Sequence, residues 1–214
     1  MLSVYVADLN EYTDLEGPGY RIAIWFAGCS IKCKGCCNPH LFERNTNQKM
    51  SIESLIEKLD KILGRYPDLE GISLLGGEPL DQPDAVHEIL RFTNSKGLSS
   101  MLYSGFTLEH IKNTDHSRIL DELDLLVDGP YIESKRELKR RWIGSSNQNL
   151  HFLSERYNPE MDCFDKSNEL ELRLQEGELR VYGFPSDFIR ELMSTTSEKV
   201  ILNLKLQGDC DQEN

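Results

Sequence analysis

The residues best suited to chemistry in this 214-residue chain are three cysteines, Cys29, Cys33 and Cys36, spaced C-x3-C-x2-C. The irons of a cubane iron–sulfur cluster usually take one cysteine each, so three thiolates would leave one iron open to a small molecule. An open position is typical of a reactive metal site. The alternative is a zinc site in which Cys37 or His40 supplies a fourth ligand. Because structural zinc sites usually use paired knuckles and no second knuckle follows in the sequence, the spacing favours the cluster.

A second candidate is the segment Gly76, Gly77, Glu78 and Pro79, which follows an apolar run. Glycines let the backbone approach a ligand without interference from a Cβ atom. The adjacent carboxylate can accept a hydrogen bond from a ligand ammonium group. Taken alone, the segment is equally well explained as a turn that ends a strand.

These segments need elements that bring them together. The sequence alternates apolar runs with helical periodicity, which is typical of βα units and a parallel sheet. We predict four strands, at about residues 20–27, 71–77, 98–105 and 123–129. Ligands bind outside the carboxyl ends of parallel strands. The cysteines, the Gly76 segment, Ser104 and Asp128 all fall at those ends, so four loops would line one mouth.

Helices are predicted between these strands. Ser51 can cap a helix whose apolar residues recur at helical spacing, and Pro83 suits the first turn of the next helix. Thr107 can cap a short third helix. A basic helix over about residues 133–140 closes the repeating part of the chain.

The periodicity changes beyond Gly144. The sequence "LELRLQEGELRVYGF" alternates residue by residue about a Glu-Gly turn and predicts an antiparallel hairpin. A helix at about residues 186–193 and a strand at about 199–207 follow. We therefore expect a core of residues 1–150 and a C-terminal extension of residues 151–214 packed on that core.

Composition narrows the classes of function. A formal net charge of −12 argues against nucleic-acid binding, which depends on neutralising phosphates with Lys and Arg. No apolar stretch approaches the roughly 18 residues needed to span a membrane, and the six cysteines do not resemble a disulfide framework, so we expect a cytoplasmic protein. One basic cluster is either a solvated helix face or a docking surface. It contains Lys135, Arg136, Lys139, Arg140 and Arg141.

Further motifs point to a known family. Together with C-x3-C-x2-C and "GGEP", the motifs "CKGCCN", "YSGFTLE", "LDLLVDGPYI" and "WIGSSNQ" resemble those of radical S-adenosylmethionine enzymes, and within them the activating proteins of anaerobic ribonucleotide reductase. The resemblance covers about residues 20–148. It implies an α/β fold with a partial (βα) barrel, a [4Fe–4S] cluster and S-adenosylmethionine. It also implies a large glycyl-radical enzyme as partner and a flavodoxin- or ferredoxin-type electron donor.

The resemblance also implies roles for the site residues. The cluster ligands would be Cys29, Cys33 and Cys36. The residues that bind the methionine amino group would be Gly76, Gly77, Glu78 and Pro79. Asn38 and Ser104 would position cofactor or substrate, or would cap turns. Asp128 would reach the ribose hydroxyls, or would form a turn before Gly-Pro.

The implied reaction is reductive cleavage of S-adenosylmethionine to a 5′-deoxyadenosyl radical, which takes a hydrogen atom from a glycine of the partner. The same chemistry can act on a small molecule or peptide, as in enzymes like 7-carboxy-7-deazaguanine synthase and in peptide-modifying enzymes. A third hypothesis is a cluster or zinc protein that only transfers electrons or binds a partner, which would need neither an open iron nor a methionine site. The simplest activating proteins end near "GSSNQ", so the extension puts the substrate in question.

Overall fold

The computed structural model describes residues 2–166, 168–175 and 178–183. The strands of its main sheet are β1 Ser3–Thr13, β2 Arg21–Phe26, β3 Lys49–Ser51, β4 Gly71–Gly76, β5 Ser99–Tyr103, β6 Leu125–Asp128 and β7 Asn149–Phe152. Within the described residues these seven strands lie in the order β3-β1-β2-β4-β5-β6-β7. A separate hairpin is formed by β8 Leu170–Gln175 and β9 Glu178–Gly183.

The α-helices are α1 Ile52–Arg65, α2 Pro83–Ser95 and α3 Leu108–Lys112. Short 3-10 turns occur at Pro39–Leu41, Thr46–Gln48, Pro79–Asp81, Asp115–Glu122, Glu133–Lys135 and Asp162–Phe164. Among the residues that the structure describes, no helix has the length and apolar character needed to cross a membrane.

The centre of the main sheet is parallel and its flanks are antiparallel. Strands β2, β4, β5 and β6 pair in parallel, whereas β1, β3 and β7 join their neighbours antiparallel. Phe26 of β2 lies opposite Gly76 of β4, so these strands end level and the loops after them begin side by side. The α/β class and the four predicted strands are confirmed, while the partial barrel stays a prediction.

Helix α1 forms where the sequence signals are strongest. The Ser51 hydroxyl caps it by accepting a hydrogen bond from the Ser54 amide at 3.1 Å. Leu55, Leu59 and Ile62 recur at helical spacing and are buried. They pack on the sheet within its largest apolar cluster. The predicted first helix is confirmed.

The two later helices also begin as predicted, because Pro83 lies in the first turn of α2 and the Thr107 side chain caps α3. All three helices contribute to the apolar cluster on one face of the sheet. Strand residues that point to the other face pack against side chains from later in the chain, including Trp142, Phe164 and Tyr182. The described part of the extension therefore covers the face that the helices leave open.

The predicted basic helix at residues 133–140 is wrong. The chain forms one short 3-10 turn there and then becomes extended. Arg136 pairs with Ser145 in an isolated antiparallel bridge, and the Glu137 amide donates to the Gly144 carbonyl at 3.0 Å. The backbone thus finds its hydrogen-bond partners about ten residues later in the chain and not within a helical turn.

Three strands of the main sheet, β1, β3 and β7, were not expected from the sequence. Strand β1 carries many polar residues and is only partly buried, and β7 has four residues. The predicted hairpin in the extension is confirmed by the antiparallel pairing of β8 with β9. The predicted helix at residues 186–193 and the strand at 199–207 lie outside the described residues.

Candidate functional site

The loops that leave β2, β4, β5 and β6 meet in one cleft at the carboxyl edge of the parallel strands, as the topology requires. The residues that line it are Cys29, Ile31, Cys33, Cys36, Phe42, Gly76, Gly77, Glu78, Tyr103, Ser104, Gly105, Val127, Gly129, Tyr131 and Gln148. The three cysteines, both glycines, Glu78 and Ser104 are thus brought together. Asn38, Pro79 and Asp128 are not among these lining residues.

The cysteine loop is held by backbone hydrogen bonds on both sides of the first cysteine. The Gly28 amide donates to the Leu41 carbonyl at 2.8 Å, and the Cys29 amide donates to the Phe42 carbonyl at 3.1 Å. Within the loop, Lys32 adopts a left-handed backbone with φ of 48°. The loop therefore returns on itself and presents its three cysteines to the cleft.

Two of the cysteine sulfurs accept hydrogen bonds from backbone amides. The Lys32 amide donates to Cys29 Sγ at 3.5 Å, and the Asn38 amide donates to Cys36 Sγ at 3.4 Å. Hydrogen bonds to sulfur are one means by which proteins tune iron–sulfur clusters. Asn38 therefore touches the site through its backbone.

Burial raises the pKa values of the Cys29 and Cys36 thiols, while the amide hydrogen bonds act in the opposite direction. A coordinating metal deprotonates a thiol outright, so a bound metal would stabilise the thiolate form that burial disfavours. The donor set is consistent with that requirement because the amides that point at Sγ favour the thiolate. Cys37, which follows directly, is exposed.

The arrangement of the cysteines is compatible with a cluster. In the part of the chain that the structure describes, no group of three or more His, Cys, Asp or Glu side chains is placed to hold one metal ion. A structural zinc ion needs four ligands that converge on a point. Thiolates that hold a cubane bind different irons and need not converge. Three cysteines along one cleft are compatible with the second arrangement.

Glu78 is buried at the back of the cleft, with 1% of its surface exposed. Its Oε1 accepts hydrogen bonds from the Leu80 amide and the Ser104 hydroxyl, each at 2.9 Å. Its Oε2 accepts one from the Gly105 amide at 2.8 Å. A carboxylate oxygen can accept more than one hydrogen bond, so Oε2 retains capacity for a ligand donor.

Burial raises the pKa of Glu78 to about 7, against the opposing effect of its three hydrogen bonds. Both protonation states are therefore accessible near neutral pH. A cation bound in the cleft would favour the ionised form and lower this pKa again. The carboxylate is thus suited to pair with a ligand ammonium group.

The glycines before Glu78 have a packing role that the sequence did not reveal, while their predicted contact with a ligand stays a prediction. A Cβ atom on Gly77 would overlap the Gly28 carbonyl oxygen. The Gly77 amide donates to the Phe26 carbonyl and the Glu78 amide to the Gly28 carbonyl, each at 2.8 Å. Small residues are needed here because the two loops pack backbone against backbone. Gly76 adds a left-handed turn, with φ of 112°.

Asp81, which the sequence analysis missed, clamps the cysteine loop. Its two carboxylate oxygens accept from the Ser30 amide at 2.6 Å and the Ser30 hydroxyl at 2.7 Å. Its carbonyl accepts from Arg44 Nη2 at 3.0 Å. The turn after Glu78 therefore holds the cysteine loop from both sides. No local signal in the sequence pairs Asp81 with a residue 51 positions away.

The structure does not bring the Asp128 side chain to the cleft. It is buried, with 4% exposed, and its Oδ2 accepts from the Leu108 amide at the start of α3 at 2.6 Å. Its Oδ1 lies 2.9 Å from His151 Nε2. These contacts favour a structural role, and the ribose role stays a prediction. Ser104 combines both expected roles, since it lines the cleft and its hydroxyl also accepts from the Phe106 amide.

The far wall of the cleft is formed by residues 129–148, which we name the rim loop. Gln148 braces this loop by accepting hydrogen bonds from the Gly144 and Ser145 amides, both at 3.0 Å, and by donating to the Gly129 carbonyl at 2.8 Å. Tyr131 and Gln148 also face the cleft. Polar side chains of the "GSSNQ" segment thus form hydrogen bonds with backbone groups of the loop, and Gln148 also forms part of the cleft wall.

Comparison with known proteins assigns the chain to a class. The model of the family described as the 4Fe-4S single cluster domain matches residues 15–151. The chain therefore belongs to that family, and the matched region contains every residue of the cleft.

Individual relatives are more specific. The chain is 31% identical over 148 residues to the anaerobic ribonucleoside-triphosphate reductase-activating protein of Salmonella typhimurium, an alignment that covers 65% of this chain and 92% of the relative. The protein of that name from Escherichia coli strain K12 is 28% identical over 144 residues, with the same coverage. The predicted resemblance to radical S-adenosylmethionine activating proteins is confirmed. Among solved structures, QueE from Escherichia coli gives a TM-score of 0.39 and 18% identity over 49% of this chain and 53% of that chain, which supports no inference.

Proposed function

We propose that this protein is a radical S-adenosylmethionine enzyme that generates a glycyl radical on a partner enzyme. The observation that carries the proposal is the meeting of three cysteines and the buried Glu78 carboxylate in one cleft. The names of the relatives support a partner like anaerobic ribonucleoside-triphosphate reductase. A partial (βα) barrel, a core of residues 1–150 and a cytoplasmic location belong to the same proposal.

Cys29, Cys33 and Cys36 would hold a [4Fe–4S] cluster, and Glu78 would accept a hydrogen bond from the methionine ammonium group. With one electron from a flavodoxin- or ferredoxin-type donor, the bound cluster would supply reductive cleavage of S-adenosylmethionine to methionine and a 5′-deoxyadenosyl radical, and uptake of a hydrogen atom from a glycine Cα would give 5′-deoxyadenosine and the glycyl radical.

The chain's own residues must orient the ligand and exclude water, since the cofactor carries the difficult step. Ile31, Phe42 and Val127 give the cleft apolar walls, while Glu78 and the backbone around Gly105 provide a polar end. In an apolar setting a charge-assisted hydrogen bond is stronger than in water. The cleft can therefore fix one end of a zwitterionic ligand while it keeps the other walls dry.

The test is anaerobic reconstitution followed by reduction with S-adenosylmethionine present. We expect about four irons per chain and chromatographic detection of 5′-deoxyadenosine. Replacing Cys29, Cys33 or Cys36 by alanine should abolish both, whereas replacing Cys37 or Cys163 by serine should preserve both. Stoichiometric zinc without iron would contradict the cluster.

The partner is tested separately, by electron paramagnetic resonance of a glycyl radical in an anaerobic ribonucleoside-triphosphate reductase from the same organism. A radical signal that depends on both S-adenosylmethionine and this protein supports the proposal. Deuterium exchange between the cofactor and a small molecule or peptide, with no radical in the partner, would replace it with the alternative substrate class.

A further inference from the structure

The rim loop contacts the C-terminal extension, which lies beyond the region matched to the family. The family match ends at residue 151, and Asn168 of the extension reaches back to the loop. Asn168 Oδ1 accepts from the Trp142 amide at 2.8 Å, and its Nδ2 donates to the carbonyls of Leu138 at 3.3 Å and Arg140 at 3.0 Å. One side chain thereby fixes three backbone groups of the loop.

Arg141 extends this attachment from the loop side. Its side chain is only 7% exposed, with Nη1 donating to the Cys163 carbonyl at 3.2 Å and Nη2 to the Asp14 carbonyl at 3.1 Å. The carboxylate of Glu169 lies 3.5 Å from Nη2. Arg141 was expected to belong to an exposed basic surface, but it is buried between the core and the extension.

Trp142 completes the attachment. Its side chain is 1% exposed, its Nε1 donates to the Leu15 carbonyl at 2.9 Å, and its ring meets Phe164 edge to face at 5.5 Å. Its backbone has φ of 64°, an uncommon conformation for a bulky residue. Such a conformation persists where surrounding contacts determine it, and here those contacts come both from Leu15 of the core and from Phe164 and Asn168 of the extension.

Exposed basic residues lie in and beside the part of the rim loop that these contacts hold. Lys139 and Arg140 are within it and Lys135 precedes it, while Tyr131 and Gln148, near the two ends of the loop, line the cleft. A protein substrate must insert a glycine loop into the cleft and rest on the surface around it. On a chain with a formal net charge of −12, an exposed basic rim favours an acidic surface on that partner.

We propose that Asn168 is a positioning residue through which the extension fixes the rim loop as the docking surface for an acidic protein partner. This inference rests on the proposed function, because the partner is taken to be a glycyl-radical enzyme. The extension would thus set partner recognition and leave cofactor cleavage to the core.

The test is Asn168→Asp, which keeps the acceptor for the Trp142 amide and removes both donated hydrogen bonds. With anaerobic ribonucleoside-triphosphate reductase as the probe, we expect the partner concentration for half-maximal radical formation to rise roughly tenfold, about 1.4 kcal/mol of docking free energy. Iron content and 5′-deoxyadenosine formation without partner should equal those of the wild type. Hydrogen exchange of residues 138–142 should accelerate, including in protein without cluster.

The matched control is Asn158→Asp, since the Asn158 side chain is also in the extension but accepts its hydrogen bond from the Glu160 amide of its own turn. It should leave every readout unchanged. Unaltered partner dependence in Asn168→Asp would overturn the inference, as would a parallel loss of iron and of partner-independent cleavage, which would indicate a general structural role. Absence of 5′-deoxyadenosine from the wild type would instead reject the proposed function.

Discussion

Replacing Glu78 by glutamine is the most direct perturbation of the cofactor site. In the structure the carboxylate accepts from the Leu80 amide, the Ser104 hydroxyl and the Gly105 amide. A glutamine Oε1 can keep the first two partners. Its Nε2 would then face the Gly105 amide as donor against donor, and a ligand ammonium group would meet the same conflict.

The expected loss follows from the hydrogen bond that disappears. A hydrogen bond to a charged group contributes about 1.5–3 kcal/mol. The dissociation constant of S-adenosylmethionine should therefore rise about 10- to 150-fold in Glu78→Gln. Cluster content should stay at the wild-type level, because the cysteine loop is held by Asp81 and by backbone contacts.

The pH dependence gives the sharper test. Burial raises the pKa of Glu78 to about 7, so below that pH a proton must leave before the carboxylate can pair with an ammonium group. Wild-type affinity should fall about tenfold per pH unit below 7, whereas Glu78→Gln should lack this component. Equilibrium dialysis of the reconstituted protein at pH 6 and pH 8 measures both effects. Equal affinities and equal pH profiles in the two proteins would refute the assignment, and the exposed Glu57→Gln serves as the control.

Three further perturbations follow from the described contacts. Asp81→Asn should accelerate loss of the cluster under a chelator, because its two hydrogen bonds to Ser30 are no longer charge-assisted, a loss of about 1–2 kcal/mol; equal rates would contradict this role of Asp81. Replacing Lys135 and Lys139 by glutamate should slow partner activation severalfold, most strongly at low salt, without altering partner-independent cleavage, and two exposed lysines of α1 provide the control. Burial raises the pKa of Glu16 from 4.5 to about 7, so its ionisation opposes folding as pH rises through that window. Glu16→Gln should match wild type in urea unfolding at pH 4, below the unfolded pKa, and exceed it at pH 8 by an amount on the order of 3 kcal/mol, and equal stabilities at pH 8 would contradict this account.

The features that we could predict from the sequence depend on interactions between residues close together in the chain. The cysteine spacing, the cap at Ser51 and the proline at the start of α2 each act within a few residues, and each strand of the parallel centre carries its own apolar run. Parallel topology then places the loops at one edge whatever their sequence. This is why the cysteines and Glu78 could be expected to meet.

The missed features depend on partners far away in the sequence. Asp81 and Ser30 are 51 positions apart, and Asn168 and Trp142 are 26 apart. The segment at residues 133–140 is rich in residues that favour helices, yet its backbone pairs with the "GSS" segment instead. Tertiary hydrogen bonds override the intrinsic helix propensity of this segment, as tertiary contacts commonly do.

The segment that follows β4 explains why the two halves of the site stay in register. The Glu78 side chain hydrogen-bonds to the loop after β5, and the Asp81 side chain hydrogen-bonds to the cysteine loop. The side-chain amide of Gln82 accepts a hydrogen bond from the Tyr5 amide and donates one to the Ala27 carbonyl. These three side chains lie within five consecutive residues, so the chain itself limits how far the carboxylate and the cysteine loop can move apart. A chelating ligand that touches both ends would then bind to a nearly preformed site and lose less conformational entropy. Once Glu78→Gln has removed the carboxylate's bond to the ligand, the placement that Asp81 provides matters less, so Glu78→Gln combined with Asp81→Asn should weaken S-adenosylmethionine binding by less than the sum of the single effects, and additive losses would contradict this coupling.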